Sequence, residues 1–283
     1  MNQNLSTQPL LTKTLLLIVD GCRTDCLAAT PTPAIDRLKE QGAWTFKART
    51  VIPSITLPVH FSIFTAMNPV THGVLSNGAN PNVSGSAVGM VAWFKSLGRT
   101  TAMYYNWEYL RELAPPGCLN RSFFLDTACD AGGDMAVAEL AAADMVAGLP
   151  DFAFVYLGCL DEAGHAHGYG SAPYLSSLAR ADQAIGHLLT TLEQAGVKDQ
   201  YTILFQSDHG GMGHDHMDPV PEVLDVPWIL SGPGICPGKI DRPDPGAPVS
   251  VMDTAPTLAR CMGLPSHPLW QGRAVREAFV APA

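Results

Sequence analysis

The stretch Leu15-Leu16-Leu17-Ile18-Val19-Asp20 is a run of five apolar residues that ends at an aspartate. The same pattern recurs at residues 152–157, which lead after a short turn to Asp161, and at residues 201–205, which lead to Asp208. Short apolar runs without polar alternation are typical of strands that are buried on both faces of a parallel sheet. With five residues, the first run is far too short to span a membrane.

Helical patterns separate these apolar runs. Residues 34–41 form one helical segment, and an apolar stripe at helical spacing over residues 175–192 indicates a longer helix. Residues 100–105 and 226–230 are weaker strand candidates. The alternation of strands and helices predicts an α/β protein, a three-layer α/β/α sandwich with a mostly parallel central sheet. We expect a single domain over residues 1–283.

Composition and charge restrict the classes of function. The 283-residue chain is 47% hydrophobic and carries a formal net charge of −9, without a conspicuous run of lysine or arginine. A nucleic-acid groove and a patch for anionic membranes are therefore not expected. A protein of this charge that binds anions must create positive charge locally, and a bound metal ion is one means.

The seven cysteines are odd in number and form no Cys-x-x-Cys motif, so we expect free thiols in a reducing, cytoplasmic location. Residues 1–13 agree with this expectation, because they lack a basic start followed by a cleavable apolar segment.

The three aspartates that follow the apolar runs are expected to lie together. In an open α/β sheet, ligands bind beyond the carboxyl ends of the strands, and these runs would bring Asp20, Asp161 and Asp208 to that edge. A single aspartate after a strand is usually a helix cap or a turn residue. Three aspartates in this arrangement, two of them with histidines close behind, favour a ligand site instead.

The histidines point to a metal. Five of the nine fall within two short segments, which are Asp161-Glu162-Ala163-Gly164-His165-Ala166-His167 and Asp208-His209-Gly210-Gly211-Met212-Gly213-His214-Asp215-His216. Imidazole together with carboxylate suits zinc, and also manganese or iron. We interpret the glycines of these segments as residues that let the backbone turn tightly around an ion. A scatter of surface histidines is the alternative.

Thr56 lies at the start of an apolar helical segment, within Pro53-Ser54-Ile55-Thr56-Leu57-Pro58-Val59-His60. A threonine in this position is commonly a helix N-cap. It can also be a nucleophile at a helix N-terminus, where backbone amides favour an anion. The two roles are compatible with each other.

Taken in order, these motifs resemble the alkaline phosphatase superfamily, and most closely its nucleotide pyrophosphatase/phosphodiesterase branch. The matching pieces, between residues 15 and 230, are Val19-Asp20-Gly21-Cys22-Arg23, Thr56-Leu57-Pro58-Val59-His60, His72-Gly73-Val74-Leu75-Ser76-Asn77, Asp161-Glu162-Ala163-Gly164-His165-Ala166-His167-Gly168 and Ser207-Asp208-His209-Gly210. The resemblance implies a metal-dependent hydrolase of phosphate esters, acting on phosphodiester or nucleotide pyrophosphate bonds through a phosphothreonine on Thr56. It also implies two divalent metal ions as cofactors, with zinc expected and manganese or iron as alternatives.

The resemblance further implies a role for individual residues. One metal would be held by Asp20, Thr56, Asp208 and His209, and the other by Asp161, His165 and one further histidine. In compact bacterial members of the superfamily the last ligand is the ninth residue from the aspartate, here His216, and His214 is the alternative. Asn77 matches an asparagine that hydrogen-bonds a non-bridging phosphoryl oxygen, while a turn at Ser76-Asn77-Gly78 is its alternative interpretation. Three other histidines are expected to support the ligands or to pack: His60, His72 and His167.

Several related classes are alternatives. A phosphosugar mutase-like isomerase would need an inserted cap domain, for which the stretches between motifs are short, although residues 106–134 could form a lid. A phosphomonoesterase or phosphonate hydrolase of the same superfamily would use the same core. A sulfatase is disfavoured, because Thr56 is not a modifiable cysteine or serine. A nicotinamide-binding enzyme is excluded, because no Gly-x-Gly-x-x-Gly follows the first apolar run.

The substrate is expected to carry a low charge. No lysine or arginine lies in residues 53–60, 157–170 or 206–218, and Arg23 and Arg111 are the nearest cations in the sequence. We therefore expect a small phosphate ester, with diesters or other monoanions preferred over monoesters. The sequence leaves a homodimer open.

Overall fold

The computed structural model describes residues 11–240 and 247–280. These residues form one eight-stranded sheet with the order β4-β3-β5-β1-β6-β7-β2-β8. The strands are β1 (Lys13–Val19), β2 (Gly42–Arg49), β3 (Thr101–Tyr105), β4 (Arg121–Phe124), β5 (Phe152–Leu157), β6 (Tyr201–Gln206), β7 (Asp225–Ser231) and β8 (Gly238–Lys239).

The three apolar runs of the sequence form the centre of the sheet. β1 pairs in parallel with β5 on one side and with β6 on the other. β7 is antiparallel to both of its neighbours, β6 and β2, whereas the remaining pairs are parallel. The prediction of a mostly parallel sheet is therefore confirmed.

Ten helices lie among the described residues. They are α1 (Thr24–Ala29), α2 (Pro33–Gln41), α3 (Thr56–Thr65), α4 (Pro69–His72), α5 (Met90–Ser96), α6 (Gly133–Gly148), α7 (Cys159–His167), α8 (Ala172–Gln194), α9 (Pro221–Leu224) and α10 (Thr254–Cys261). Short 3-10 turns occur at Glu108–Leu113, Lys198–Gln200, Val251–Asp253 and Arg276–Ala278. The three helical segments expected from the sequence are present, as α2, α3 and α8.

Helices cover both faces of the sheet. Leu16 and Ile18 of β1 pack into a core with residues of α3, α5 and α10, whereas Leu15 and Leu17 pack into a second core with α2, α6 and α8. Successive side chains of a strand point to opposite faces, so one apolar strand contributes to both cores. This arrangement confirms the three-layer sandwich.

The sequence missed the outer strands. β4 is an edge strand with the sequence Arg-Ser-Phe-Phe, and most of its residues are exposed, so it lacks the apolar run that marks a central strand. Its pairing with β3 makes residues 121–124, within the stretch 106–134, an extension of the sheet.

All seven cysteines lie in the described ranges and are free thiols. No helix in the part of the chain that the structure describes is long and apolar enough to cross a membrane. The expectation of a cytoplasmic location drew in part on residues 1–13, and residues 1–10 lie outside the described residues.

Candidate active site

The predicted ligand segments meet at the carboxyl edge of the three central strands. Val19, at the end of β1, lies in register with Leu157 at the end of β5, and Ile18 with Gln206 at the end of β6. Asp20 therefore follows β1 next to the segment that carries Asp208 and His209. Asp161 lies in the first turn of α7, and His165 follows one helical turn later.

Ser207 ties the first and third segments together. Its hydroxyl lies 2.8 Å from the carbonyl oxygen of Val19 and accepts a hydrogen bond from the amide of Cys22 at 2.8 Å. The amide of Gly21 donates to Asp208 Oδ1 at 3.2 Å. The loop after β1 and the loop after β6 are thus held as one unit around the aspartates.

Two side chains from other parts of the chain hold the start of α7. Asn106, just after β3, accepts a hydrogen bond from the amide of Gly158 at 3.0 Å. Asp134, near the start of α6, accepts one from the amide of Cys159 at 3.2 Å and another from Asn106 Nδ2 at 3.0 Å. Because helix-terminal amides lack partners within the helix, these contacts fix where α7 begins and therefore where Asp161 lies.

Thr56 is the first residue of α3, and Ile55 is the N-cap, so the N-cap interpretation of Thr56 is wrong. The Thr56 side chain is buried, and its Oγ1 lies 3.5 Å from His209 Nε2. Asn77 Oδ1 accepts a hydrogen bond from the amide of Leu57 at 2.9 Å. Asn77 Nδ2 makes no hydrogen bond to the described residues and remains a donor at the rim of the site.

Two groups of buried side chains can each hold a metal ion. One consists of Asp20, Asp208 and His209, and the other of Asp161, His209 and His216, with ligand atoms within 4.8 Å of one another in each group. His209 belongs to both groups, whereas the sequence assigned it to the first alone. The rings of His209 and His216 are stacked with their centroids 3.8 Å apart.

His165 and His214 lie at the outer edge of this arrangement. His165 Nε2 is 3.2 Å from Asp161 Oδ2, although His165 is not a member of the compact second group. His214 is exposed, and its Nδ1 bonds the backbone carbonyl of His165 at 2.9 Å. The structure thus places His216, and not His214, in the group with Asp161 and His209.

The candidate histidine ligands have their ring orientation fixed by backbone carbonyls. In each, Nδ1 lies 2.6–2.8 Å from a carbonyl oxygen: His209 with Gly210, His216 with Ser54, and His165 with His214. A carbonyl can only accept, so Nδ1 carries the proton in the neutral ring and Nε2 presents its lone pair. Histidine ligands of metals are commonly oriented in this way.

The charge balance of the site fits a bound cation. Burial raises the pKa of Asp20 well above its usual range, and the adjacent Asp208 carboxylate raises it further. Burial likewise raises the pKa of Asp208. Asp20 Oδ1 and Asp208 Oδ2 are buried without any hydrogen-bond partner. A buried carboxylate oxygen without a partner is costly, and a divalent ion would neutralise the charge of both.

The histidines supply no compensating positive charge to these carboxylates. Burial lowers the pKa of His209, and it lowers the pKa of His216 to about 4, so both rings are neutral near pH 7. His165, at the outer edge of the site, is the exception, because its hydrogen bond to Asp161 raises its pKa to about 9. Neutral imidazoles and carboxylates together are the donors that zinc accepts.

A small cavity of about 110 Å³ opens above these groups. Its described lining includes no lysine or arginine and consists of Asp20, Thr56, Asn77, Trp107, Ala128, Tyr156, Gly158, Asp161, Glu162, His165 and His216. The two arginines nearest in sequence are engaged elsewhere, since Arg23 pairs with Asp25 and Arg111 lies beside Glu108. The sequence does not mark Trp107 and Tyr156 as site residues, because each resembles an ordinary core aromatic.

The other predicted supporting histidines divide by position. His60 is buried against the site, with Nδ1 2.8 Å from the carbonyl of Thr56 and 3.6 Å from Asp208 Oδ2. His72 packs away from it and lies 3.0 Å from Ser62 Oγ. His167 is exposed.

A sequence model of the type I phosphodiesterase/nucleotide pyrophosphatase family matches residues 14–231. The chain belongs to this family. Rat ectonucleotide pyrophosphatase/phosphodiesterase family member 1 is 26% identical over 216 residues, which cover 70% of this chain and 24% of that protein. The venom phosphodiesterase of Naja atra is 26% identical over 213 residues, which cover 69% of this chain and 26% of that protein. The chain thus spans about a quarter of the length of these relatives.

Solved structures agree on the fold. Murine ectonucleotide pyrophosphatase/phosphodiesterase 5, solved as an inactive variant in complex with AMP, superposes with a TM-score of 0.74 at 14% identity, covering 91% of this chain and 96% of that one. The phosphonate monoester hydrolase of Silicibacter pomeroyi gives a TM-score of 0.75 at 16% identity, covering 94% and 76%. The resemblance inferred from the ordered motifs is therefore confirmed, while the roles of the individual side chains stay predictions.

Proposed function

We propose that this phosphodiesterase-family chain hydrolyses phosphate esters, with phosphodiester or nucleotide pyrophosphate bonds as substrates, two divalent metal ions as cofactors and Thr56 as nucleophile. The observation that carries the proposal is the position of Thr56 Oγ1, 3.5 Å from the Nε2 of His209, the residue common to both candidate metal groups. Divalent ions bound to these groups, zinc being the best match to the donors, would stabilise negative charge on oxygen.

The proposed reaction has two displacement steps. Thr56 Oγ1 forms a bond to phosphorus while the bond from phosphorus to the leaving alcohol breaks, and the hydroxyl proton ends on that alcohol. Water then cleaves the phosphothreonine, which releases the phosphate monoester and restores the Thr56 hydroxyl. Asn77 Nδ2, at the rim of the cavity, is the proposed donor to a non-bridging phosphoryl oxygen.

The charge of the cavity supports monoanionic substrates. Two divalent ions carry four positive charges, against three negative charges on Asp20, Asp161 and Asp208 and one on an ionised Thr56. The described lining adds no lysine or arginine. A diester brings one negative charge, whereas a phosphate monoester brings about two at pH 7. Phosphonate monoesters also carry a single charge, so their hydrolysis is the second candidate function.

An isomerase is less well supported. A mutase needs a domain that encloses the intermediate between two transfers. Residues 106–134 form no such domain, since residues 121–124 are a strand of the sheet and the stretch contributes Trp107 and Ala128 to the cavity lining.

The test compares Thr56→Ala with Thr56→Ser in zinc-reconstituted protein, with bis-p-nitrophenyl phosphate as substrate. Thr56→Ala should lose at least about a thousandfold in kcat, because the activated nucleophile carries most of the reaction. It should retain its metal, since the Asp/His ligands remain. Thr56→Ser keeps a hydroxyl and should keep measurable turnover. An alanine variant with the wild-type rate would remove Thr56 from the mechanism.

A further inference from the structure

The two oxygens of the Asp161 carboxylate have different partners. Asp161 Oδ2 lies 3.2 Å from His165 Nε2, and Asp161 Oδ1 accepts a hydrogen bond from the hydroxyl of Tyr169. Tyr169 is buried just beyond the end of α7, and its amide donates to the carbonyl of Gly213 at 2.8 Å. The tyrosine therefore contacts both segments that carry the second metal group.

The Tyr169 ring occupies a slot between two glycines of the ligand segments. A Cβ atom at Gly164, between Asp161 and His165, would lie 2.6 Å from the ring, and one at Gly211 would lie closer still. Neither glycine has a left-handed backbone, whereas Gly213 does, with φ of +61°. Gly164 and Gly211 thus make room for the ring and do not serve the tight turn expected from the sequence.

The backbone after β1 confines the same carboxylate oxygen from another side. A Cβ atom at Gly21 would lie 2.5 Å from Asp161 Oδ1, and Gly21 has a φ of +67°. Asp161 Oδ1 is therefore held between the Gly21 backbone and the Tyr169 hydroxyl. Rotation of the carboxylate about its Cβ–Cγ bond would move Oδ1 away from the Tyr169 hydroxyl and break this hydrogen bond.

The first metal group has a matching arrangement. The hydroxyl of Tyr156, on β5, donates to Asp20 Oδ2, and Asp20 Oδ1 is left buried without a partner. In both groups, one carboxylate oxygen is held by a buried tyrosine. The other oxygen of Asp20 has no hydrogen-bond partner, and the other oxygen of Asp161 faces His165 Nε2, a further candidate ligand.

We propose that Tyr169 is a positioning residue for the second metal group, whose hydroxyl fixes the rotation of the Asp161 carboxylate so that one oxygen is presented to a cation. This inference rests on the proposed function only in taking the Asp/His groups as cation sites. Residues that hydrogen-bond a metal ligand typically change metal affinity or activity by about 10–100-fold when they are removed. Tyr169 acts through Asp161 and is not itself expected to touch the substrate.

The variant Tyr169→Phe keeps the ring in its slot and removes the hydroxyl alone. Tyr201→Phe is the matched control, because the buried Tyr201 hydroxyl donates to the carbonyl of Pro150 at 2.9 Å, at the start of β6 and the opposite end of the strands from the site. Metal-free wild type and both variants are titrated with zinc against a chromophoric chelator. We expect Tyr169→Phe to bind one of two equivalents about 10–100-fold more weakly, with the other equivalent and the control unchanged.

The melting temperature of the metal-free proteins separates positioning from general packing. Tyr169→Phe should melt close to Tyr201→Phe, because each loses one buried hydroxyl. Wild-type affinity for both equivalents in Tyr169→Phe would overturn the inference, as would an equal weakening of both together with a lower melting temperature. A wild-type protein that binds only one zinc ion would also overturn it.

Activity on bis-p-nitrophenyl phosphate is measured separately. A wild type that binds two zinc ions but hydrolyses no phosphate ester would refute the proposed function, while the zinc titration would still decide the role of Tyr169.

Discussion

Asp134 offers a direct test of how α7 is held, because one carboxylate oxygen serves two buried donors. Replacing it by alanine removes the acceptor of the Cys159 amide and of Asn106 Nδ2, both within the protein interior. The Cys159 amide loses its acceptor, and Asn106 Nδ2 keeps a weak contact with Cys159 Sγ at 3.8 Å. At about 1–3 kcal/mol for each buried donor, the loss is roughly 2–6 kcal/mol for the pair. Burial also raises the pKa of Asp134, so its charged form is itself destabilised in the folded protein. Loss of this destabilised charge offsets part of the cost, so we expect Asp134→Ala to lose unfolding free energy in the lower half of that range, about 2–4 kcal/mol.

Asp134→Asn separates the hydrogen bonds from the charge. The asparagine keeps a carbonyl oxygen for both donors and puts its amide group where Asp134 Oδ2 now lies without a partner. We expect it to stay within about 1 kcal/mol of wild type at pH 7. Since the folded-state pKa of Asp134 is raised, wild type loses stability relative to Asp134→Asn as the pH rises from the unfolded-state value of about 4 through the folded-state value.

Urea unfolding in the presence of EDTA, followed by tryptophan fluorescence, measures these differences without a contribution from bound metal. The three proteins should be compared at pH 5 and pH 7. An alanine variant within about 0.5 kcal/mol of wild type, or alanine and asparagine variants of equal stability, would refute the reasoning.

Two further predictions concern the ligands and the substrate. His216→Ala should release one equivalent of zinc, because His216 is buried in the second metal group, whereas His214→Ala should keep both equivalents. Metal analysis after gel filtration measures the zinc content of each variant. The reverse result would exchange the two assignments. The zinc-loaded protein should show a higher kcat/KM for bis-p-nitrophenyl phosphate than for p-nitrophenyl phosphate. The described cavity lining has no lysine or arginine that could neutralise the second negative charge of the monoester. A higher kcat/KM for the monoester would contradict this prediction.

The centre of the fold was predictable from the sequence because its signal is strong there. β1, β5 and β6 are buried on both faces and therefore consist of apolar residues. β2 alternates buried and partly exposed residues, and β4 is largely exposed, so neither forms such a run. Outer strands are defined by the neighbour they pair with, and that information is not local.

The ligand side chains were predictable for a related reason. One aspartate after a buried strand is an ordinary cap or turn residue, but Asp20, Asp161 and Asp208 follow three such strands, two of them with histidines close behind, and so they stand out. The residues that hold these ligands in place do not stand out in the sequence. Tyr169 resembles any core aromatic, and Gly211 resembles any turn glycine, until the ring and the glycine are seen in contact.

The hydrogen bonds of Ser207 have a consequence for how the protein folds. They join Ser207 to Cys22 and Val19, which lie 185 and 188 positions away in the chain. Contacts of such separation form only after a long loop has closed, which costs chain entropy and slows folding. The group of Asp20, Asp208 and His209 can therefore exist only once β1 and β6 have paired. During synthesis on the ribosome, nearly two hundred residues separate the first ligand of this group from the last, so a cation can bind there only late and cannot start the pairing of β1 with β6.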